Sequence, residues 1–301
     1  MGTLAAQLSL SFLARTNSEG RHVFTNDYAR DLCTNYQSKF IQVGDYELHY
    51  QDVGEGPTLV LLHGFGASLH VWTEWVRLLK PHFRLVSIDL PGFGLSTPIR
   101  KKVTIDFFQQ VLDGFLEKMN IKKYSLVGNS LGGWLAWEHA ALNQDQVERM
   151  VLLDAAGYFE NSGKPKGIEL IAKDQFRKLM RIGVPKMIIR RLAKTSYGDK
   201  RKMSEEFVNR TYVMANREGM LASLIYVASS DAISHIQRIG KIKTPTLVLW
   251  GDKDRVIPVA KADFFYSDLQ DCELKIYEGV GHVPMMEIPE ESAKDLLAFM
   301  K

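Results

Sequence analysis

Cysteine is nearly absent from this sequence: Cys33 and Cys272 are the two among 301 residues. Neither stands in a C-x-x-C or zinc-ligand spacing, so a disulfide framework and a structural zinc site are excluded as organising devices. Two cysteines leave room for one bridge at most, and a reduced, metal-free interior is the expectation. Long apolar runs are missing as well. No stretch reaches the roughly 18–20 residues of a membrane-spanning helix. Near the N-terminus stand Leu4, Leu8, Phe12 and Leu13, but Gln7, Ser9 and Ser11 break the run and no basic residue precedes it. That pattern reads as a short docking helix rather than a secretory signal. Internal repeats and low-complexity tracts are also lacking. The remainder, 46% hydrophobic and 24% charged, is the ordinary balance of a globular protein. The length suits one large domain carrying an insertion.

What is present is alternation. Residues 40–43 and 46–50 flank Gly44-Asp45, a hairpin signal. Continuous apolar runs follow at 58–62, 84–88, 124–127, 150–153, 246–250 and 274–277. Such runs suit strands buried on both faces of a parallel sheet. Helical spacing separates them, clearest in Ile105, Phe108, Val111, Leu112, Phe115, Leu116 and Met119. The expected fold is α/β: a mostly parallel eight-stranded sheet with helices on both faces. The alternation stops near Asp154 and resumes near Thr244, with helical periodicity between. This predicts an N-terminal extension over 1–37, a core over 38–154 and 241–301, and an α-helical lid over 155–240.

The chemistry gathers at the strand ends. Tyr124-Ser125-Leu126-Val127 runs into Gly128-Asn129-Ser130-Leu131-Gly132, a G-x-S-x-G turn followed by a helical pattern. A nucleophile on a sharp strand-to-helix turn needs small neighbours, and Gly128 and Gly132 supply them. A serine hydroxyl needs a base. His282, in Gly281-His282-Val283-Pro284, stands late in the chain on a loop beyond the last strand. The base needs an acid to fix its tautomer. Asp254 lies after the strand over 246–250 and is preferred to its neighbour Asp252 and to Asp154, both read as turn caps. The oxyanion needs two backbone donors. Leu131 follows the nucleophile, and Phe65 lies in the turn His63-Gly64-Phe65-Gly66, with His63 bracing that turn. This chemistry requires neither metal nor organic cofactor.

With these residues in hand, the chain resembles the α/β-hydrolase superfamily, and within it the lidded serine esterases. The resemblance rests on His63-Gly64-Phe65-Gly66, Asp89-Leu90-Pro91-Gly92-Phe93-Gly94-Leu95-Ser96, Gly128-Asn129-Ser130-Leu131-Gly132-Gly133, Trp250-Gly251-Asp252-Lys253-Asp254 and Gly281-His282-Val283-Pro284. It implies Ser130 as nucleophile, His282 as base, Asp254 as acid, and Phe65 and Leu131 as oxyanion donors. The elbow Asn129-Ser130-Leu131-Gly132-Gly133 is also similar to that of hydrolases cleaving carbon–carbon bonds in aromatic ring-fission products. Those relatives carry Gly-Pro-Gly where this chain has Phe65-Gly66-Ala67, and a tryptophan where it has Val283. Esters with apolar acyl or aromatic groups are therefore the expected substrates. A small-molecule receptor on the same fold is a third reading, opposed by the complete residue set.

Charge is unevenly spread. Residues 160–202 hold 13 Lys/Arg against 4 Asp/Glu within a chain of net charge +3. The simplest account is a solvated charged face. The alternatives are weak docking on anionic lipid or on an acidic carrier protein. A cytoplasmic protein with some membrane association is expected, with no nucleic-acid partner.

Overall fold

A computed structural model of the chain describes residues 14–16, 22–159 and 183–301. The docking helix expected from Leu4, Leu8, Phe12 and Leu13 lies outside the described residues, as do the expected lid residues Phe176, Leu179 and Met180. Strands β1 (Ala14–Thr16) and β2 (His22–Phe24) form a small antiparallel ribbon. Helix α1 (Asn26–Cys33) follows, its first turn capped by Thr25, whose hydroxyl accepts the Tyr28 N–H at 3.2 Å.

The main sheet has eight strands: β3 (Ser38–Val43), β4 (Tyr46–Val53), β5 (Thr58–Leu62), β6 (Arg84–Ile88), β7 (Tyr124–Asn129), β8 (Val147–Leu153), β9 (Thr246–Gly251) and β10 (Cys272–Tyr277). Their order is β10-β9-β8-β7-β5-β6-β4-β3, parallel except where β4 meets β3 and β6. The central strands are buried along nearly their whole length because both sides are covered. In β5, Leu59 and Leu61 join a cluster on one face with Trp72, Trp75 and Leu296. Val60 and Leu62 join a second cluster on the other face with Phe108, Trp137 and Phe265. Helices α2 (Thr73–Leu79) and α10 (Pro289–Phe299) cover the first face, locked by Trp75 Nε1 donating to Ser292 Oγ at 2.9 Å. Helices α3 (Ile105–Lys118), α4 (Leu131–Leu142) and α8 (Ala260–Asp268) cover the second. Each fully buried Leu, Val or Phe contributes roughly 1.5–3 kcal/mol by leaving water.

Between β8 and β9 the described residues form α5 (Lys186–Thr195), α6 (Glu205–Ala215) and α7 (Met220–Ala228). They contain no strand, only an isolated bridge from Arg217 to Phe24. That bridge brings in the N-terminal segment. Phe24 exchanges backbone hydrogen bonds with Asn216 and Glu218, and Phe24, Ala29 and Cys33 are buried against Leu95, Val213 and Met214. Cys33 and Cys272 are both free thiols.

Candidate active site

Strand order reverses around β5, whose neighbours β6 and β7 come later in the chain on opposite sides. Parallel α/β sheets open a crevice at the carboxyl ends of strands at such a point. The turns beyond β5, β7, β8, β9 and β10 carry His63, Ser130, Asp154, Asp254 and His282 respectively.

Ser130 links β7 to α4 with φ 55° and ψ −116°, a conformation that L-residues rarely adopt. Such a backbone costs of order 1–3 kcal/mol and persists only where its surroundings enforce it. Here the enforcement is close packing. A Cβ at Gly128 would collide with the Gly132 carbonyl, and one at Gly132 with the Leu62 carbonyl. A Cβ at Gly64 would sit 3.1 Å from that of Ser130. The Ser130 N–H donates to Leu153 O at 3.1 Å, fixing the turn to the end of β8.

Asp254 and His282 are joined. Nδ1 of His282 lies 2.6 Å from Oδ2 of Asp254. A carboxylate only accepts, so Nδ1 carries the proton and Nε2 presents a lone pair. The other Asp254 oxygen accepts the N–H groups of Val256 and Ile257 at 2.7 and 3.0 Å. The histidine backbone is clasped from both sides. Its N–H donates to Ser196 O at 2.7 Å, and its carbonyl accepts from Asn129 Nδ2 at 3.0 Å. Asn129 thereby ties the histidine loop to the residue before Ser130. Asp252 caps a turn as expected, accepting the Gly279 N–H at 2.7 Å.

His63 braces the loop after β5. Its Nε2 accepts the Leu90 N–H at 3.0 Å, so its Nδ1 donates to Gly64 O at 2.7 Å. Burial lowers its pKa and keeps the ring neutral. Asp89 organises the facing loop, accepting the N–H groups of Leu69 and Leu95 and facing His49 Nδ1 at 2.7 Å. Burial opposes its charge, but the neighbouring His49 holds its carboxyl well below the usual carboxylate range. Among the described residues, the N–H groups of Phe65 and Leu131 meet no acceptor. Both lie beside Ser130, at the head of α4 and in the turn after β5.

Two further acidic residues stand at the site, one of them Asp154, the rival to Asp254 as the orienting acid. Glu287, in the short helix α9 (Pro284–Glu287), is buried and accepts the N–H groups of Gly281, Gly198 and Asp199 at 2.8, 3.0 and 2.6 Å. It clasps the segment after α5 to the histidine loop. Asp154 differs from its expected role as a turn cap. It is fully buried with φ 46°, and its Oδ1 accepts the Gly251 N–H at 3.0 Å. Its other oxygen is buried without a partner among the described residues. Burial and then the Asp254 charge raise its pKa well above the carboxylate range. Sequence offered one signal for it, an aspartate closing a buried strand. For Glu287 it offered none.

Donor atoms of Asp154, Asp254 and His282 lie within 4.8 Å of one another, the spacing of a metal-ligand set. His282 and Asp254 already satisfy each other across 2.6 Å, so a cation between them would have to break that bond.

Beside Ser130 opens a small cavity of about 70 Å³, partly continuous with solvent. Phe65, Phe108, Leu131, Trp134 and Val227 give it an apolar wall. Asp231 is the charged side chain among its described lining residues.

The sequence pattern of the family described as alpha/beta hydrolase fold matches residues 57–289. Three curated relatives span most of the chain. A 2-hydroxy-6-oxo-6-(2'-aminophenyl)hexa-2,4-dienoic acid hydrolase of Metapseudomonas resinovorans is 27% identical over 274 residues, covering 88% of this chain and 91% of that protein. The monoacylglycerol lipase ABHD6 of Homo sapiens is 27% identical over 292 residues, covering 88% and 82%. A pimeloyl-[acyl-carrier protein] methyl ester esterase of Vibrio vulnificus (strain YJ016) is 29% identical over 260 residues, covering 84% and 98%.

Proposed function

The chain belongs to the alpha/beta hydrolase fold family and is a hydrolase, and from that membership we propose that it is a serine hydrolase cleaving carboxylic esters with apolar acyl or aromatic groups. The observation that carries this reading is the buried Asp254–His282 pair, tied through Asn129 to a serine on a strained turn. In the mechanism, Nε2 of His282 takes the Ser130 proton as Oγ attacks the ester carbonyl. The N–H groups of Phe65 and Leu131 hold the oxyanion. His282 then protonates the leaving alcohol, and water repeats the cycle on the acyl-enzyme. Asp254 holds the tautomer and stabilises the imidazolium.

Carbon–carbon hydrolysis is the second reading, favoured by the likeness to the dienoic acid hydrolase. The lining of the cavity speaks for esters. A dienoic acid is an anion at neutral pH, and the described lining offers it no basic side chain, whereas a neutral ester needs none.

Hydrolysis of p-nitrophenyl butyrate, paired with fluorophosphonate labelling located by mass spectrometry, tests the mechanism. Ser130→Ala and His282→Ala are expected to lose at least about 10⁴-fold in kcat. The label is expected on Ser130. Undiminished turnover by Ser130→Ala would remove the reading.

Residues 155–240 are read as a lid over the cavity, after an N-terminal extension over 1–37. Among the described residues no helix is long and apolar enough to cross a membrane. Helix α5 instead exposes Met187 and Leu192 among Lys186, Arg190, Arg191 and Lys194. That face suits weak docking on anionic lipid or an acidic carrier protein. Sedimentation with anionic vesicles should weaken several-fold between about 0.01 and 0.15 M salt, as the Debye length shrinks from about 30 to 8 Å. Binding indifferent to salt would leave α5 as a solvated face.

A further inference from the structure

Behind His282 stand two carboxyl groups, not one. Asp254 ends the turn after β9, and Asp154 ends the adjacent strand β8, which separates β9 from the Ser130 strand. The donor atoms of both lie within 4.8 Å of each other and of His282. Both are buried, and two adjacent buried anions repel strongly enough that one keeps a proton.

The surroundings decide which one. Asp254 accepts from three donors, Val256 N–H, Ile257 N–H and His282 Nδ1–H. Asp154 accepts from Gly251 N–H alone, and no donor reaches its second oxygen among the described residues. Glu287 adds a further negative charge on the same side. A protonated Asp154 resolves the conflict, because its O–H then donates to Asp254. Burial and the Asp254 charge act on Asp154 in that direction.

Resting on the triad reading above, we propose that Asp154 is a second acid of the site: a neutral carboxyl that steadies Asp254, and that becomes the carboxylate facing His282 when Asp254 is removed. It is a positioning residue, since it reaches the reacting atoms only through Asp254 and His282. Burial and then the Asp254 anion keep the proton on Asp154. Removing Asp254 removes the second of these; one proton then passes from Asp154 to solvent, and the freed carboxylate accepts from His282 Nδ1.

The test uses the full chain and p-nitrophenyl butyrate across pH 5–9. Asp154→Asn keeps a neutral donor against Asp254 and should lose less kcat than Asp254→Ala. Asp254→Ala should fall by about 10²-fold rather than the roughly 10⁴-fold that follows loss of the orienting acid elsewhere. The double variant should fall the full ~10⁴-fold. The Asp254→Ala profile should also rise with pH along a limb that the double variant lacks, because Asp154 must ionise to serve. With Asp254 deleted, the groups facing Asp154 that could distort that limb are His282, Glu287 and Tyr277.

Equal activity of Asp254→Ala and the double variant would overturn the proposal. So would an Asp154→Asn loss as deep as that of Asp254→Ala. Should Asp254→Ala fail to fold, infrared difference spectra decide the matter. A protonated-carboxyl stretch at pH 7 present in wild type and absent from Asp154→Asn supports the proposal, and identical spectra refute it. Failure of the triad reading itself shows separately, as turnover surviving Ser130→Ala.

Discussion

A serine in an uncommon backbone conformation needs neighbours that forbid it to relax. Gly132 is the tightest of these, with no space for a methyl group between the head of α4 and the Leu62 carbonyl. The obstacle is backbone on both sides and has no rotamer to change. Gly132→Ala is therefore expected to cost roughly 3 kcal/mol, at the upper end of ordinary overpacking, measured as the shift in urea midpoint at constant m-value. The surviving folded fraction should also lose kcat, since a displaced α4 moves the Leu131 N–H. A stability loss with unchanged kcat would mean the turn and the oxyanion donor are independent. His63 illustrates a quieter use of side-chain chemistry: its single neutral tautomer is set by one donor and one acceptor, Leu90 N–H and Gly64 O.

Helices and loops position the residues that no single motif contains. Glu287 joins the segment after α5 to the histidine loop through three backbone N–H groups, and Ser196 O receives the His282 N–H beside it. Glu287→Ala would strand those donors in the interior. A loss of about 3–5 kcal/mol is expected, as for an acidic group removed from a buried hydrogen-bonded set. Thermal melts with parallel kcat measurements check it, and Glu287→Gln should fall between the two because its amide offers one accepting oxygen. A melting temperature unchanged in the alanine variant would show that the clasp is incidental. The central strands were legible in the sequence because short apolar runs bounded by turn residues suit burial on both faces of a sheet, whereas the edge strand β10 carries Lys275 and is only partly buried. The run over 58–62 is β5 itself, and Ile105 to Met119 matches α3 to within a residue at its end. Ser130, Asp254 and His282 were legible because each follows such a run in a short turn. Glu287 and Asp154 were not, because their roles arise where segments distant in sequence meet. The packing of Phe24, Ala29 and Cys33 onto α6 was hidden for the same reason.

For the whole molecule the buried ionisable groups set a pH dependence of stability. Burial lowers the pKa of His70 and of His139 to about 4, and lowers that of His63. In the unfolded chain these imidazoles titrate near 6.5. Between about pH 6.5 and 4 the unfolded state therefore binds protons that the folded state refuses. Stability is fully present above that window and falls as pH drops through it, by up to roughly 3 kcal/mol for each of His70 and His139. Asp154 acts in the opposite sense. Its folded pKa is raised, so it holds a proton that the unfolded chain releases near pH 4, and its contribution falls as pH rises. Burial also raises the pKa of Asp113, which acts in the same sense as Asp154. The three imidazoles outweigh the two carboxyls, and the net expectation is loss of stability on acidification from pH 7 to 4.5. Urea midpoints at pH 7, 5.5 and 4.5 measure it. His139→Gln should flatten the descent, since the glutamine has nothing to titrate. Asp154→Asn should steepen it, because it deletes an opposing group. A midpoint that rises on acidification in the wild type would mean that these imidazoles take up protons in place, and the neutral brace assigned to His63 would have to be reconsidered with them.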